Sequence, residues 1–517
     1  MTFRPSRKRA GLAILAGPAA LALMVTGCSS ANEPDPQSTS GSGTLVAAIT
    51  ADPDTLFPWK ATQFQAVNVL ENIYGTLTQF DDELNVVPGL AEKWEPSEDG
   101  TQVTLTLRDG VTFHDGSEFD ADDVKHSLDL IRDEATAAVA AASIGSVTDV
   151  EVVDPLTVTL TLSAPDAGLM ANLANVNVAM LSSDDTEEDL NTEPNGTGAF
   201  VYVDRTPNQS IKLEANEDYW GDAASLSSLE FRIIADETSI VSALQSGDVQ
   251  FAVLNDPLVA KTAEGSGISV VGTPQLSYHA LQLNATKGAL TDVNVRLAMQ
   301  CAIDRQQVLD TAALGEGEVT GPITSPAFKS DPEARPCPER DLDKAKEYLA
   351  KAGMADGVTV KTIVSQGSYA TSVNEAQNLQ AQLAEAGITL DLEVLEAGAY
   401  VDRWIAADFE AAVALNGGRP DPDGMYGRYF PSTGNLNQVA GYNSPELDAL
   451  FAEGKATMDA DERKSIYDEI SQHLEDNAAW IWLFTSYTYT ATTDTVDGFT
   501  PMANGSLQNL RSTTVSN

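Results

Sequence analysis

Residues 358–395 carry the pattern that most restricts how this chain can fold. The run 358–364 (VTVKTIV) reads as a strand, 373–386 as a helix stopped by Gly387, and 388–395 (ITLDLEVL) as a second strand. Two strands joined by a helix-sized crossover run parallel, and a parallel sheet needs helices on its faces. The fold class is therefore α/β. Other segments add to it. Leu45-Val46-Ala47-Ala48-Ile49 is a short strand, and 64–74 has helical spacing at Val67, Leu70, Ile73 and Tyr74 before Gly75. Val103, Leu105 and Leu107 alternate with Thr104 and Thr106, and Arg108-Asp109-Gly110 predicts a hairpin into Val111-Thr112-Phe113. Asp120 and Asp123 form a capping arrangement for a helix through Val124, Leu128 and Ile131, followed by an alternating strand over 156–162. Helices over 445–457 and 461–474 precede the apolar run Trp480-Ile481-Trp482-Leu483-Phe484. The pattern mixes an α/β scaffold with a β-rich insert and shows no repeat of fixed period.

The N-terminus reads differently. Arg4, Arg7, Lys8 and Arg9 precede an apolar stretch over 11–25, and Thr26-Gly27 lead into Cys28. This is the layout of a secretory signal, and the stretch is shorter than the ~20 apolar residues a bilayer span requires. Leu23-Met24-Val25-Thr26-Gly27-Cys28 resembles a lipobox with Val25 in the place of the usual leucine, which predicts Cys28 as a lipidated N-terminus. Residues 29–43 (SSANEPDPQSTSGSG) have no aliphatic side chain larger than alanine and predict a flexible tether. The formal charge is −46, and with the four leading basic residues set aside the remainder carries −50. Such a surface is poorly suited to nucleic acid or to an acidic membrane face, so neither is an expected partner.

Catalytic motifs are missing: there is no G-x-S-x-G, H-E-x-x-H, C-x-x-C or G-x-x-x-x-G-K. His114, Asp115, Glu118, Asp120, Asp122, Asp123 and His126 are close enough in sequence to suggest a cation site, but Asp115-Gly116 also reads as a turn and Asp120 and Asp123 as a helix start. We expect no metal and no cofactor. Beyond Cys28 only Cys301 and Cys337 remain; in an exported protein they can form a disulfide, or stay as one helix thiol and one loop thiol.

Longer motifs point to a family. Asn72-Ile73-Tyr74-Gly75-Thr76-Leu77, Val87-Pro88-Gly89-Leu90-Ala91-Glu92-Lys93-Trp94 and the run from Phe113 to Val124 (FHDGSEFDADDV) resemble the signature of peptide/nickel-type solute-binding proteins of ABC importers. The likeness continues in Gly196-Thr197-Gly198-Ala199-Phe200, Asn216-Glu217-Asp218-Tyr219-Trp220, Gly247-Asp248-Val249, Asn294-Val295-Arg296-Leu297-Ala298, Asp341-Leu342-Asp343-Lys344-Ala345-Lys346 and Asn443-Ser444-Pro445-Glu446-Leu447-Asp448. It implies a two-lobed, hinged, periplasmic-binding-protein-like receptor with an additional β-rich subdomain. The expected segments are a signal peptide over 1–27 and a tether over 28–43. Lobe I would comprise 44–87, 196–279 and 485–517, the subdomain 88–195, and lobe II 280–484. The implied partners are a small solute and the permease and ATPase complex of the importer. The receptor would be a monomer held by its lipid on the outer face of the cytoplasmic membrane, and not an enzyme.

The resemblance also directs attention to the cleft. Peptide-binding members often carry an Ala-Asp-Tyr-x-Asp-Pro-like segment whose first aspartate meets the ligand's ammonium group. Here the segment is Asn416-Gly417-Gly418-Arg419-Pro420-Asp421-Pro422-Asp423, one residue shorter, so Gly418 or Arg419 replaces that aspartate. An arginine there favours a carboxylate or phosphate; alternatively Arg419 pairs with Asp421 or Asp423 and only fixes the loop. Phe57, Trp59, Phe64, Tyr278, His279 and Trp404 are candidate walls. Three functions follow: capture of a peptide or small organic, possibly anionic, solute; capture of nickel or a metal chelate on the same fold; and hydrolysis of a small solute by an exported enzyme, which needs a nucleophile with a placed base.

Overall fold

The computed structural model describes residues 43–516 except 266, 367, 368 and 370. The chain divides into units 1–39 and 40–517, and the fold is that of the second. Cys28, the signal-like segment and the tether up to residue 42 lie outside the described residues.

Twelve strands join in one sheet: β1 (Thr44–Ile49), β2 (Phe200–Thr206), β3 (Ser210–Ala215), β4 (Ser228–Ile233), β5 (Phe251–Leu254), β6 (Ile268–Pro274), β7 (Tyr278–Leu283), β8 (Gly317–Val319), β9 (Val358–Gln366), β10 (Ile388–Glu396), β11 (Ala411–Asn416) and β12 (Trp480–Thr493). The order is β10-β9-β11-β7-β12-β5-β1-β4-β3-β2, with β6 and β8 also on β12. β9 pairs parallel with β10 from Val358↔Ile388 to Gln366↔Glu396, with helix Ser372–Glu385 as the crossover. The β-α-β reading thus holds. β1 is parallel to both β4 and β5.

β12 has 14 residues and serves both ends of this sheet. Its residues 480–486 pair with β7 and β8, and 487–493 with β6, with β5 along 489–492. The β6–β7 connection, 275–277, runs alongside. Thr485 Oγ1 faces the carbonyl oxygens of Gln275 and Ser277 at 2.5 and 2.7 Å, and Gln275 N donates to Ser486 O at 2.9 Å. Two adjacent chain passages therefore link two separate hydrophobic cores. One gathers β1–β4 with the β-rich region, beside a smaller cluster of Ala252, Ile268, Tyr489 and Ala491 on β5, β6 and the second half of β12, and the other gathers β7, β9–β11 and the first half of β12.

The helices used below are α1 (Phe64–Leu70), α2 (Ala121–Arg132), α3 (Val293–Ala302), α4 (Arg305–Ala312), α5 (Ser372–Glu385), α6 (Ala397–Ile405), α7 (Pro422–Tyr426), α8 (Pro445–Ala456) and α9 (Ala460–Asp476). α2 starts on the expected capping box: Asp120 accepts from Asp122 N, and Asp123 accepts from Asp120 N at 3.1 Å. Val124, Leu128 and Ile131 form one fully buried stripe, each contributing about 1.5–3 kcal/mol. α1 stops at Leu70, short of Tyr74, because the carbonyls of Asn72 and Ile73 are taken by Phe200 N and Gly198 N. A Cβ on Gly196 would lie 2.1 Å from Ile73 O, which explains the glycines of the G-T-G motif.

The expected hairpin at 103–113 does not form. Gln102–Leu107 has both edges occupied, by Ala91–Pro96 and Thr157–Leu162, and Val147–Asp154 completes a four-stranded antiparallel sheet. Residues 111–113 instead close a turn, with Phe113 N donating to Ser117 O and Gly116 N to Phe113 O. This β-rich region also touches the second core's helices: Ala167 N donates to Lys455 O at 2.8 Å. Cys301 on α3 and Cys337 are joined in a disulfide, 36 residues apart with Cα atoms at 5.0 Å.

Candidate functional site

In an α/β sheet, ligands approach the edge where parallel strands end. β9 and β11 end at one such edge, and β7, antiparallel to β11 with Tyr278 opposite Asn416, begins there. This edge adjoins the crossing strands. It brings Tyr278, His279, Asn416 and the loop 417–421 together.

On one face of β7, aromatic side chains close over the sheet. Tyr278 is fully buried with its ring 5.8 Å from Tyr426, whose hydroxyl donates to Pro322 O and accepts from Trp482 Nε1 at 2.9 Å. Burial holds the Tyr278 hydroxyl well above its usual titration range. Trp404 Nε1 donates to Gln282 Oε1 at 2.6 Å and Gln282 Nε2 to Asn416 Oδ1 at 3.1 Å. Asn416 Nδ2 ends this chain as a buried donor without a partner among the described residues. The Trp404 ring stands edge-on to Tyr429 at 6.2 Å.

The loop after β11 packs tightly against the 275–277 passage at Gly418. Gly418 presses on the 276 backbone so closely that a Cβ would lie 1.9 Å from Leu276 O, which leaves Arg419 as the only one of the two with a side chain to offer. Arg419 is exposed and has no hydrogen bond or ion pair among the described residues. The acids expected as its loop-fixing partners are engaged elsewhere. Asp421, 6% exposed, pairs through both oxygens with Arg463, Oδ1 with Nη2 at 3.0 Å, and caps α7 by accepting from Asp423 N at 2.9 Å. Asp423 lies 4.0 Å from Lys455, and burial raises its carboxyl above the ordinary range. Asp421 therefore supports the loop and Arg419 projects from it.

His279 lies on the opposite face. Its Nδ1 is 2.9 Å from Glu375 Oε1 and its Nε2 3.0 Å from Ser486 Oγ, with the ring stacked on Phe484 at 4.2 Å. Glu375, fully buried on α5, also accepts from Thr371 Oγ1 and, at 3.4 Å, from Tyr369 Oη. Ser486, His279 and Glu375 thus have the contacts of an acyl-transfer relay, which sequence reading missed because they are 207 and 96 residues apart. The serine, however, is half-buried within the sheet, with its backbone opposite Gly317 on one side and its main-chain carbonyl accepting from Gln275 N on the other. An acyl-transfer nucleophile needs an approachable hydroxyl beside free N–H donors. The relay here ties α5 to the crossing strands.

Two of the remaining candidates pack in the first core. Phe57 and Trp59 are 4% and 2% exposed in the first core, with rings 5.2 Å apart and Trp59 Nε1 donating to Ala179 O at 2.9 Å. Phe64 opens α1 and is 77% exposed. His114 spends Nε2 on Gly198 O at 3.1 Å, and burial lowers its pKa. Among the described residues, no group of three His, Cys, Asp or Glu side chains is arranged to hold a metal ion.

Comparison with known proteins is consistent across sequence and structure. The model of the bacterial extracellular solute-binding proteins, family 5 middle, matches residues 85–437, over half of the chain. The glutathione-binding protein GsiB of Salmonella paratyphi A is 27% identical over 477 residues, covering 88% of this chain and 91% of its own. HbpA2 from Haemophilus parasuis superposes with a TM-score of 0.84 at 26% identity, over 92% of this chain and 100% of that one. The periplasmic binding protein DppA from Helicobacter pylori, in complex with the peptide STSA, gives 0.68 at 26% identity over 92% and 98%.

Proposed function

We propose, on the premise that this chain belongs to the family 5 bacterial extracellular solute-binding proteins, that it captures a small anionic peptide-like solute for an ABC importer, with Arg419 as its anion anchor. A solute-binding receptor of this kind breaks no bond. It closes on its ligand because the closed form adds contacts and excludes water. The observation that carries the reading is the unpaired, exposed Arg419 beside a loop whose own acids are already engaged. A guanidinium fork meets a carboxylate bidentately, and Asn416 Nδ2 supplies a second free donor at the same strand end. Glutathione, the solute named for a relative 27% identical to this chain, is a carboxylate-rich peptide and is the first compound to test.

The receptor acts as a monomer, anchored through a lipid on Cys28 and held off the membrane by the tether. The basic start, the apolar stretch and the lipobox-like run before Cys28 support this reading. Lobe I, the β-rich subdomain and lobe II keep the ranges given above. Tyr278 and Trp404 back the cleft on the side of Arg419.

The test is thermal unfolding of residues 29–517, stripped of carried-over ligand, against glutathione, free and N-blocked short peptides, organic acids, neutral sugars and nickel chelates. Binding to the folded form alone adds about 2.7 kcal/mol at a hundredfold excess over Kd. Glutathione or N-blocked peptides should raise the melting temperature and neutral sugars should not. Arg419→Ala should weaken the responding ligand by roughly 10–100-fold, the size of a charge-assisted hydrogen bond. A response confined to nickel chelates, or full affinity in Arg419→Ala, would remove the anion-anchor assignment.

A further inference from the structure

The second core contains a polar cluster that solute capture does not use. Gln300 lies on α3, Arg305 opens α4, Glu475 is near the end of α9, and Arg335 is two residues before Cys337; none is more than 6% exposed. Arg305 Nε donates to Trp482 O at 2.8 Å, Arg335 Nη2 donates to Thr320 O at 2.9 Å, and Thr320 N donates to Leu483 O at 3.3 Å. The two guanidiniums therefore rest on neighbouring positions of β12 and the segment beside it. Glu475 Oε2 accepts from Gln300 Nε2 at 2.6 Å, and Oε1 lies 3.4 Å from Arg335 Nη2.

The cluster is unbalanced in donors and in charge. Arg305 Nη1 and Nη2 and Arg335 Nε and Nη1 have no hydrogen-bond partner among the described residues, four idle donors against two idle acceptors, Gln300 Oε1 and Glu475 Oε1. Two buried cations share one buried carboxylate, Glu475, and the half-buried Asp304 also acts on Arg305. Burial, followed by repulsion from Arg335, lowers Arg305 to about 9, and burial raises Glu475. Water can satisfy the idle N–H groups but cannot offset the excess positive charge. A cavity of about 230 Å³ touches the cluster at Glu475, with Pro322, Ser330, Ser471, Lys329, Asp331, Lys464 and Asp468 also on its wall and neither arginine lining it.

We propose that Arg305 and Arg335 hold a small monovalent inorganic anion, chloride in a saline medium, as a structural ligand of the second core. The anion joins α4 and the disulfide-linked 320–337 segment to the first half of β12, the strand that continues into the other half of the molecule. It is separate from the solute anchor, since Arg305 and Arg335 are buried and Arg419 is exposed.

Bromide serves as the probe. Crystals of the protein grown in gluconate and transferred to sodium bromide should show an anomalous peak in contact with the Arg305 and Arg335 guanidiniums. In solution at fixed ionic strength, replacing gluconate by chloride should raise the melting temperature saturably, by about 2–3 °C at a hundredfold excess over Kd. Arg305→Met should abolish that rise while leaving the response to the solute intact. Water alone between the guanidiniums in bromide, with a melting temperature that follows ionic strength regardless of the anion, overturns the proposal. The crystallographic arm uses the wild-type protein and so does not depend on the variant folding.

Discussion

Gly418 and Arg419 are adjacent and act in opposite ways. Gly418→Ala would drive a methyl group into the Leu276 carbonyl, so it should lower stability by roughly 1–3 kcal/mol, read as the urea midpoint, and displace the loop that carries Arg419. Arg419→Ala, at an exposed position with no partner among the described residues, should leave that midpoint within about 0.5 kcal/mol of the wild type and change only solute binding. A large loss of stability in Arg419→Ala would mean that the side chain supports the fold. The aromatic candidates divide the same way. Trp59 is core, whereas Phe64, read from the same stretch, projects into solvent. Residue type did not distinguish them, because the difference lies in which distant chain covers each position.

Short elements joined across the sequence carry much of the stability. The Glu71 carboxyl, half-buried just after the end of α1, accepts from Ser506 Oγ at 2.8 Å and from Leu507 N, and so clasps the returning C-terminal segment. Burial raises it from 4.5 to about 7. The fold keeps a proton that the unfolded chain loses above about 4.5, so this contribution is complete below that pH and lost as pH rises through about 7. The loss amounts to about 3 kcal/mol. Glu71→Gln should flatten the stability profile between pH 5 and 8 relative to wild type, as followed by denaturant titration; parallel profiles would show that the carboxyl titrates normally. The Cys301–Cys337 disulfide closes a 36-residue separation, and replacing both cysteines by alanine should cost roughly 2–4 kcal/mol. Elements with a local signature, such as the α2 capping box and the β9-α5-β10 unit, were legible in the sequence. The partners of Gln102–Leu107 were not: the strand pairs with Ala91–Pro96 and Thr157–Leu162 in place of the hairpin expected at 103–113.

The passages at 275–277 and 485–487 run side by side between the two halves of the large sheet. Thr485 is 3% exposed, and its hydroxyl lies against two carbonyls of the neighbouring passage. Thr485→Val keeps the shape and leaves those carbonyls unpaired, a cost of about 1–3 kcal/mol. If it falls on the hinge, the variant should bind solute more weakly while the lobes stay folded, and X-ray scattering should show a broader distribution of shapes without ligand. Unchanged affinity and scattering would make Thr485 a passive core residue.

The sequence by itself determined the parallel α/β scaffold, the caps, the family likeness and the surface charge, because each depends on periodicity, composition or short spacing. Tertiary structure alone decided that one 14-residue strand serves both halves, that Asp421 pairs with Arg463 and leaves Arg419 free among the described residues, and that His279 meets Glu375 and Ser486. It also decided that Arg305 and Arg335 share a single buried carboxylate. These pairings join residues from 42 to 207 positions apart. Local pattern fixes which face a side chain occupies, and only the packed fold fixes what stands opposite it.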